Sequence, residues 1–210
     1  MNEMIDGSTC PGNGCGENSK WGLVTSAIEQ VLPLDDTAVR WGLKLFASST
    51  SNTCLVTSGV EVAPALSTGA TIATRIAATA PGSSTPTTAA VTAAGTYLAS
   101  LSDGAPKFIV LVTDGVPTCG TAACDLMPNV ANQCDDANAI AAVKSVHDTL
   151  GIPTFVVGIG IAPIGGGEAT LSAMATNGGY PRAASPVYYP ANTTADITAS
   201  FMAIAATIAP

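Results

Sequence analysis

The feature that most constrains the fold is an unbroken apolar run, Phe108–Val112, which leads through Thr113 and Asp114 into Gly115. Such a run is too short to cross a membrane and too continuous for a strand with one face in water. It is typical of a strand in a parallel sheet with helices on both faces. Ligands bind beyond the carboxyl ends of such strands, so Asp114 is a candidate functional residue, although Asp-Gly is also ordinary turn chemistry.

The composition limits the class of protein to which the chain can belong. Its 210 residues suit one domain, 1–210, in which residues 1–18 are predicted to be loop. The seven Lys and Arg residues are scattered and the formal net charge is -8, so nucleic acid is excluded as a partner. No apolar run approaches the roughly 18 residues that a membrane-spanning helix needs, so no membrane insertion is expected.

The six cysteines indicate disulfides in an oxidising compartment. No two have C-x-x-C spacing and the chain has one His, which disfavours a zinc site. We therefore expect an extracellular, periplasmic or cell-surface protein. The N-terminus, Met1–Ser8, lacks the basic start and apolar stretch of a signal peptide, so we expect that sequence upstream of Met1 is missing. The cysteines are Cys10, Cys15, Cys54, Cys119, Cys124 and Cys134.

The hydrophobic periodicity predicts strands alternating with helices. Helices are predicted from Ser19 to Pro33, over 71–80, from Thr85 to Leu101, over 135–150, over 168–176 and around 197–208. Strands are predicted over 39–45, 56–62, 108–113, 153–159 and 187–189. The alternation predicts an α/β fold of three layers, α/β/α and Rossmann-like, with a mostly parallel central sheet and helices on both faces.

Several of these segments, in this order, resemble a von Willebrand factor type A (VWA) domain, and the likeness covers nearly the whole chain. The most specific parts are Ser84-Thr85-Pro86-Thr87 and Leu111-Val-Thr-Asp114-Gly115. The other matching segments are Lys20–Leu32, Val39–Phe46 and Thr154–Gly160. The resemblance implies a metal-ion-dependent adhesion site (MIDAS) in which Thr85 and Asp114 match two of the family's ligands.

The implied cofactor is Mg²⁺, or Mn²⁺ or Ca²⁺ in its place. Hydroxyl, carboxylate and water oxygens are the ligands that Mg²⁺ prefers, and an open position could accept a carboxylate from a partner. The chain departs from the family pattern because it has no Asp-x-Ser-x-Ser motif and no apolar strand before the first helix. That strand is central in the family, so its absence predicts a gap beside strand 108–113. Either upstream residues are missing, which we favour, or another segment fills the gap.

The resemblance also places the loops that carry the cysteines at the metal-bearing edge. Cys54 is alone in its segment, so it is expected to bridge to another loop.

Thr85 has a plainer explanation as the N-cap of a helix with proline at its first position. Gly158-Ile-Gly160 lacks the rest of a dinucleotide-binding loop.

The sequence thus favours a binding module that recognises a protein or glycan partner through a divalent cation, and not an enzyme. A second hypothesis is a metal-independent structural interaction domain of the same fold. A third is a hydrolase on a Rossmann-like sheet. It would need a nucleophile beside a base, and the only imidazole, His147, is predicted to pack on a helix face.

Overall fold

A computed structural model describes residues 4, 16–35, 37–46, 54–81, 84–122, 134–161 and 167–208. A short 3-10 helix precedes the first α-helix, and strands and helices then follow one another, in pairs up to β4 and singly from α4 onward. The elements are the 3-10 helix Gly16–Asn18, α1 (Lys20–Asp35), β1 (Trp41–Leu43), β2 (Val62–Ala65), α2 (Gly69–Ala77), α3 (Thr87–Ala99), β3 (Ile109–Thr113), β4 (Thr118–Ala122), α4 (Asp136–Leu150), β5 (Thr154–Ile159), α5 (Gly167–Asn177), β6 (Tyr189–Ala191) and α6 (Thr194–Ile208).

Five of the six described strands form two sheets. A parallel sheet has the order β3-β5-β6, and β1 pairs with β2 as an antiparallel ribbon. The apolar run of the sequence is therefore a parallel strand, as predicted. The prediction of a mostly parallel sheet is confirmed in part, because the fold is mixed α/β with a small parallel sheet and a separate antiparallel pair.

The strand β5 runs through the middle of the core, and all six of its residues are buried. Its side chains alternate between two apolar clusters, because successive residues of a strand point to opposite faces. Phe155, Val157 and Ile159 pack with residues of α1, α2 and α6. Val156 packs with residues of α3, α4 and α5. The chain therefore buries apolar surface on both faces of this strand.

The predicted helices are all present, with shifted ends. Gly151 ends α4 in the left-handed conformation (φ 65°), which glycine adopts without steric cost. Pro33 was expected to stop the first helix, and this is wrong because α1 continues to Asp35. Proline removes one backbone donor but its φ fits a helix, so the last turn can run past it.

The strands outside the core were predicted less well. The strand expected over 56–62 is instead β2, which begins at Val62. Residues 118–122 form β4 in a segment that was expected to be loop. Both strands are short, with little apolar alternation, so their position depends on tertiary contacts. Most of the predicted N-terminal loop, residues 5–15, lies outside the described residues.

Candidate functional site

Asp114 directly follows β3, at the carboxyl end of the parallel sheet. The preceding Thr113 is 2% exposed. Its hydroxyl donates a hydrogen bond to the Gly115 carbonyl (3.2 Å) and accepts a longer one from the Gly115 N–H (3.4 Å). These bonds close a local turn around Asp114, whose side chain is half-buried. A turn at Asp114 and a functional role for its side chain are thus compatible, because the bonds of the turn involve Thr113 and Gly115.

Thr85 lies in the segment before α3 and is tied to the chain that follows Asp114. Its backbone N–H donates to the Thr118 hydroxyl (2.7 Å), and the Thr118 N–H donates back to the Thr85 carbonyl (2.9 Å). The Thr87 N–H donates to the same carbonyl (2.8 Å). These bonds join two segments that are 33 residues apart in sequence. Sequence reasoning missed the role of Thr118, since nothing local in Pro117-Thr118 marks a partner so distant.

The plainer explanation of Thr85 as a helix cap does not hold in the structure. Pro86 occupies the N-cap position of α3, and no side chain makes a capping hydrogen bond there. The Thr85 hydroxyl is therefore not used to start the helix. A role for that hydroxyl as a metal ligand stays a prediction, and helix capping no longer offers an alternative explanation for Thr85.

Thr85 and Asp114 line one cavity of about 1040 Å³, which we call the slot. The slot lies between β1 and β3, with α1 on one side and α3 on the other. Thr85 and Asp114 belong to the polar part of its lining, together with Ser84. Two oxygen donors from different segments, a hydroxyl and a carboxylate, fit the chemistry of Mg²⁺.

The number of charged ligands at the site is small. Among the described residues, no group of three or more His, Cys, Asp or Glu side chains lies close enough to hold a metal ion. Octahedral coordination needs six ligands, so Thr85 and Asp114 would leave about four positions to water, a partner or other protein oxygens. The metal assignment of these two residues stays a prediction.

A disulfide joins the loop after β1 to β4. Cys54 and Cys119 are bonded, with their Cα atoms 5.6 Å apart. The expected bridge from Cys54 to another loop is thus confirmed. Cys119 has a φ of 78°, a conformation that residues other than glycine rarely adopt. Cys134 is also disulfide-bonded, whereas Cys10, Cys15 and Cys124 lie outside the described residues.

The features that could indicate other chemistry have structural explanations. A Cβ atom on Gly158 would lie 2.7 Å from Leu171 and 2.8 Å from Tyr188, so this glycine permits close packing at the end of β5. His147 is half-buried on α4, and its Nδ1 lies 3.0 Å from the Asp148 carboxylate. His147 is not among the residues that line the slot. Neither residue indicates a nucleotide site or a catalytic base.

The fold and site describe a mixed α/β domain with hydroxyl and carboxylate donors near the carboxyl end of its parallel sheet. No protein-family model matches the chain, and no curated protein matches it. Its structure is similar to two crystal structures of the pilus adhesin SpaC from Lactobacillus rhamnosus GG, one of them in an open conformation. The TM-score is 0.65 for both, with 14% and 15% sequence identity.

The similarity covers 90% of this chain, and the chain spans 28% of the length of SpaC. At this level of identity the likeness shows the fold alone. The overall arrangement of this chain therefore occurs as one part of a much longer adhesin.

Proposed function

We propose that the chain is a secreted or surface-attached binding module of the VWA type, not an enzyme. It recognises a protein or glycan partner through a divalent cation held in part by Thr85 and Asp114. The observation that carries this proposal is that these two residues, from segments joined through Thr118, both line the slot beside β3. The likeness of the fold to part of a pilus adhesin supports the same class of function.

The architecture proposed for this module is the three-layer α/β/α arrangement. The two apolar clusters on opposite faces of β5 support it, since α1, α2 and α6 contribute to one and α3, α4 and α5 to the other. In such a fold the loops at the carboxyl end of the sheet share one edge, which is where ligands bind.

The cation would supply a positive centre that binds an oxygen donor of the partner. The Asp114 carboxylate would hold it by charge and the Thr85 hydroxyl by a neutral oxygen. The turn at Thr113 and the bonds between Thr85 and Thr118 fix the backbone at both residues, so little ordering is needed when a partner binds.

The proposed location is extracellular, periplasmic or at the cell surface. The Cys54–Cys119 disulfide supports it, because such bonds persist in oxidising compartments. Within the described part of the chain, none of the helices has the length and apolar character needed to cross a membrane.

The second candidate is a structural interaction domain of the same fold that works without metal. The observation that favours it is the lack, among the described residues, of a cluster of three or more charged ligand side chains. The two candidates differ in one measurable property, the dependence of stability on a divalent cation.

The test is thermal unfolding of the full chain in Mg²⁺ and in EDTA. A ligand that binds only the folded state at 100 times its Kd raises the free energy of unfolding by about 2.7 kcal/mol. We expect Mg²⁺ to raise Tm, and this increase to vanish in Asp114→Ala and to shrink in Thr85→Val. Asp148→Ala is the matched control, because Asp148 is an exposed carboxylate on α4. Equal Tm values in Mg²⁺ and EDTA for the unmodified chain would support the metal-independent candidate.

A further inference from the structure

The Cys54–Cys119 disulfide lies one residue from the bonds that hold Thr85. Cys119 directly follows Thr118, whose hydroxyl accepts from the Thr85 N–H (2.7 Å) and whose N–H donates to the Thr85 carbonyl (2.9 Å). The Cys119 Sγ is 3.9 Å from the same hydroxyl. A sulfur in a disulfide carries no hydrogen, so the Thr118 hydroxyl is the donor in that contact. The disulfide, Thr118 and Thr85 therefore form one continuous series of contacts.

Among the described residues, few contacts other than the disulfide hold β4, the strand that carries Cys119. Within that part of the chain β4 belongs to neither sheet, and its bridge from Thr118 to Cys134 is an isolated one. The backbone carbonyl just before β4 accepts a bond from the Asp135 N–H (3.1 Å). Neither Cys54 nor Cys119 belongs to the apolar clusters on the two faces of β5. A rearrangement of β4 therefore need not disturb the core.

The two bonded cysteines differ in exposure and in backbone conformation. Cys54 is exposed, whereas Cys119 is half-buried. Cys119 also has a φ of 78°, in the left-handed region, which costs free energy for a residue with a side chain. The bond to a distant loop helps to keep it in that conformation, and cleavage of the bond allows φ to return to a negative value. An exposed disulfide that holds a strained backbone is of the kind that thiols reduce readily.

We propose that the Cys54–Cys119 disulfide is a reducible latch that sets the position of Thr85. While the bond is intact, Thr118 holds the Thr85 backbone. After reduction β4 is released, and the hydrogen bonds between Thr85 and Thr118 open. The consequence for cation binding rests on the proposed function, because reduction then lowers the affinity of the site that Thr85 and Asp114 form.

The reductant is a dithiol, and the reaction is a thiol–disulfide exchange in two steps. One thiolate of the dithiol attacks the Sγ of the exposed Cys54, the S–S bond breaks, and Cys119 leaves as a thiolate beside the Thr118 hydroxyl, a donor that stabilises it. The second thiolate of the reductant then attacks the reductant's own sulfur in the mixed disulfide, and Cys54 leaves as a thiolate. The two cysteines take up the two protons that the dithiol gave up. Two electrons have passed from the dithiol, now a disulfide, to the protein.

The first test measures amide hydrogen exchange at Thr85 and Thr118 in the full chain without divalent cation. A variant in which serine replaces both cysteines of the latch, the double serine variant, stands in for the reduced state. The Ile109 amide, which is bonded to the backbone just before β5 (2.9 Å), is the reference. We expect exchange at Thr85 and Thr118 to become at least roughly tenfold faster relative to Ile109.

Val143→Ala is the matched control for a general loss of stability, because Val143 is buried in the core on α4. It is not expected to raise the rate at Thr85 relative to Ile109. An equal acceleration at all measured amides in the double serine variant would mean that the bond only stabilises the domain as a whole, which would overturn the proposal.

Thr118 is tested as a positioning residue with the disulfide intact. Thr118→Val removes the hydroxyl that accepts from the Thr85 N–H, so it is expected to give the same fast exchange at Thr85 as the double serine variant. Thr118→Ser keeps a hydroxyl and is expected to restore slow exchange. Slow exchange at Thr85 in Thr118→Val would contradict the link between the latch and Thr85.

The second test asks whether the latch can be reduced in the folded protein. The unmodified chain is incubated with dithiothreitol, free thiols are alkylated at intervals, and the labelled cysteines are identified by mass spectrometry. Cys134, which is also disulfide-bonded and is 7% exposed, is the internal comparison. We expect Cys54 and Cys119 to be labelled at least roughly tenfold faster than Cys134. Earlier labelling of Cys134, or labelling of all three only as circular dichroism records unfolding, would refute the latch.

A Mg²⁺ titration by calorimetry separates the latch from the proposed function. We expect the Kd for Mg²⁺ to be about tenfold higher in the double serine variant than in the disulfide-bonded protein. If the disulfide-bonded protein binds no Mg²⁺, the proposed function fails, and exchange at Thr85 alone decides whether the latch exists. If both proteins bind Mg²⁺ with the same Kd, the latch does not regulate the site.

Discussion

At the scale of single residues, the ion pairs before β1 and β3 are informative about geometry rather than stability. Asp103 accepts bonds from Arg40 and Lys107, each 2.9 Å long. The side chains of Arg40 and Asp103 are 52% and 34% exposed, and exposed ion pairs contribute little to stability. These ion pairs show that the amino ends of β1 and β3 lie close together.

The pKa of Asp103 should report these contacts directly. The hydrogen bond from Lys107 is the largest influence that lowers this pKa below its ordinary value of 3.8, and the charge of Arg40 is the smallest. We expect Lys107→Met to raise the pKa more than Arg40→Met does, as measured by NMR titration. Because the folded pKa is depressed, the stabilising effect is present above pH 3.8 and is lost as the pH falls through the folded value. An equal rise in both variants would contradict this order.

Close packing requires glycine at position 95. It lies on α3, and a Cβ atom there would meet Val146 of α4 at 2.7 and 2.9 Å. Gly95→Ala gains about 1 kcal/mol of helix propensity. Overpacking costs about 1–3 kcal/mol, and Val146 is β-branched and cannot easily turn away. We expect a net loss of about 1 kcal/mol by chemical denaturation. In a Val146→Ala background the same change should become neutral or stabilising, and a cost that persists there would refute the packing explanation.

At the scale of elements, the disulfide does more to hold the loops together than any nearby hydrogen bond. It links residues 65 apart in sequence, and so constrains the unfolded chain between β1 and β4. Closing a loop of that length corresponds to about 4 kcal/mol in the chain-entropy estimate. A typical intramolecular hydrogen bond contributes about 1 kcal/mol net. The bond is therefore a principal stabiliser of the polar end of the slot.

The double variant Cys54→Ser/Cys119→Ser tests this contribution. We expect its free energy of unfolding to fall by about 4 kcal/mol in guanidinium titration. A variant is preferable to a reductant, because reduction would also break the disulfide of Cys134. The unmodified protein in reductant should therefore lose at least as much stability as the double variant. A loss below about 1 kcal/mol in the double variant would mean that the folded loops are held by other contacts.

At the scale of the whole molecule, the sequence predicted the elements of the core and the direction of the parallel sheet. The segment 153–159 was recognisable because a strand buried on both faces, as β5 is, needs continuous apolar residues. The run from Phe108 to Val112 also predicted a parallel strand, but three of the five residues of β3 are only half-buried. The helices were recognisable by their apolar spacing and end signals, such as Gly151. The β1–β2 ribbon could not be located in the same way, since β2, Val62–Ala65, is a short strand containing a proline.

The candidate site was predictable only in its residue types. Thr85 and Asp114 were found through a motif, and the structure adds that both lie on the wall of one cavity. The sequence could not predict the hydrogen bonds between Thr85 and Thr118. Nor could it predict that the Trp41 indole N–H is buried without a hydrogen-bond partner. Both depend on contacts between residues distant in the chain, and no local pattern encodes such contacts.

The covalent link between Cys54 and Cys119 also has a mechanical consequence. If the chain ends are pulled apart, the segment between the two cysteines cannot extend while the bond is intact. The 65-residue separation, at about 3.4 Å per residue, removes on the order of 220 Å from the length that the unfolded chain can reach. The removed length includes α2, α3 and β3, so these elements would be shielded from the applied force after the rest of the domain had unravelled.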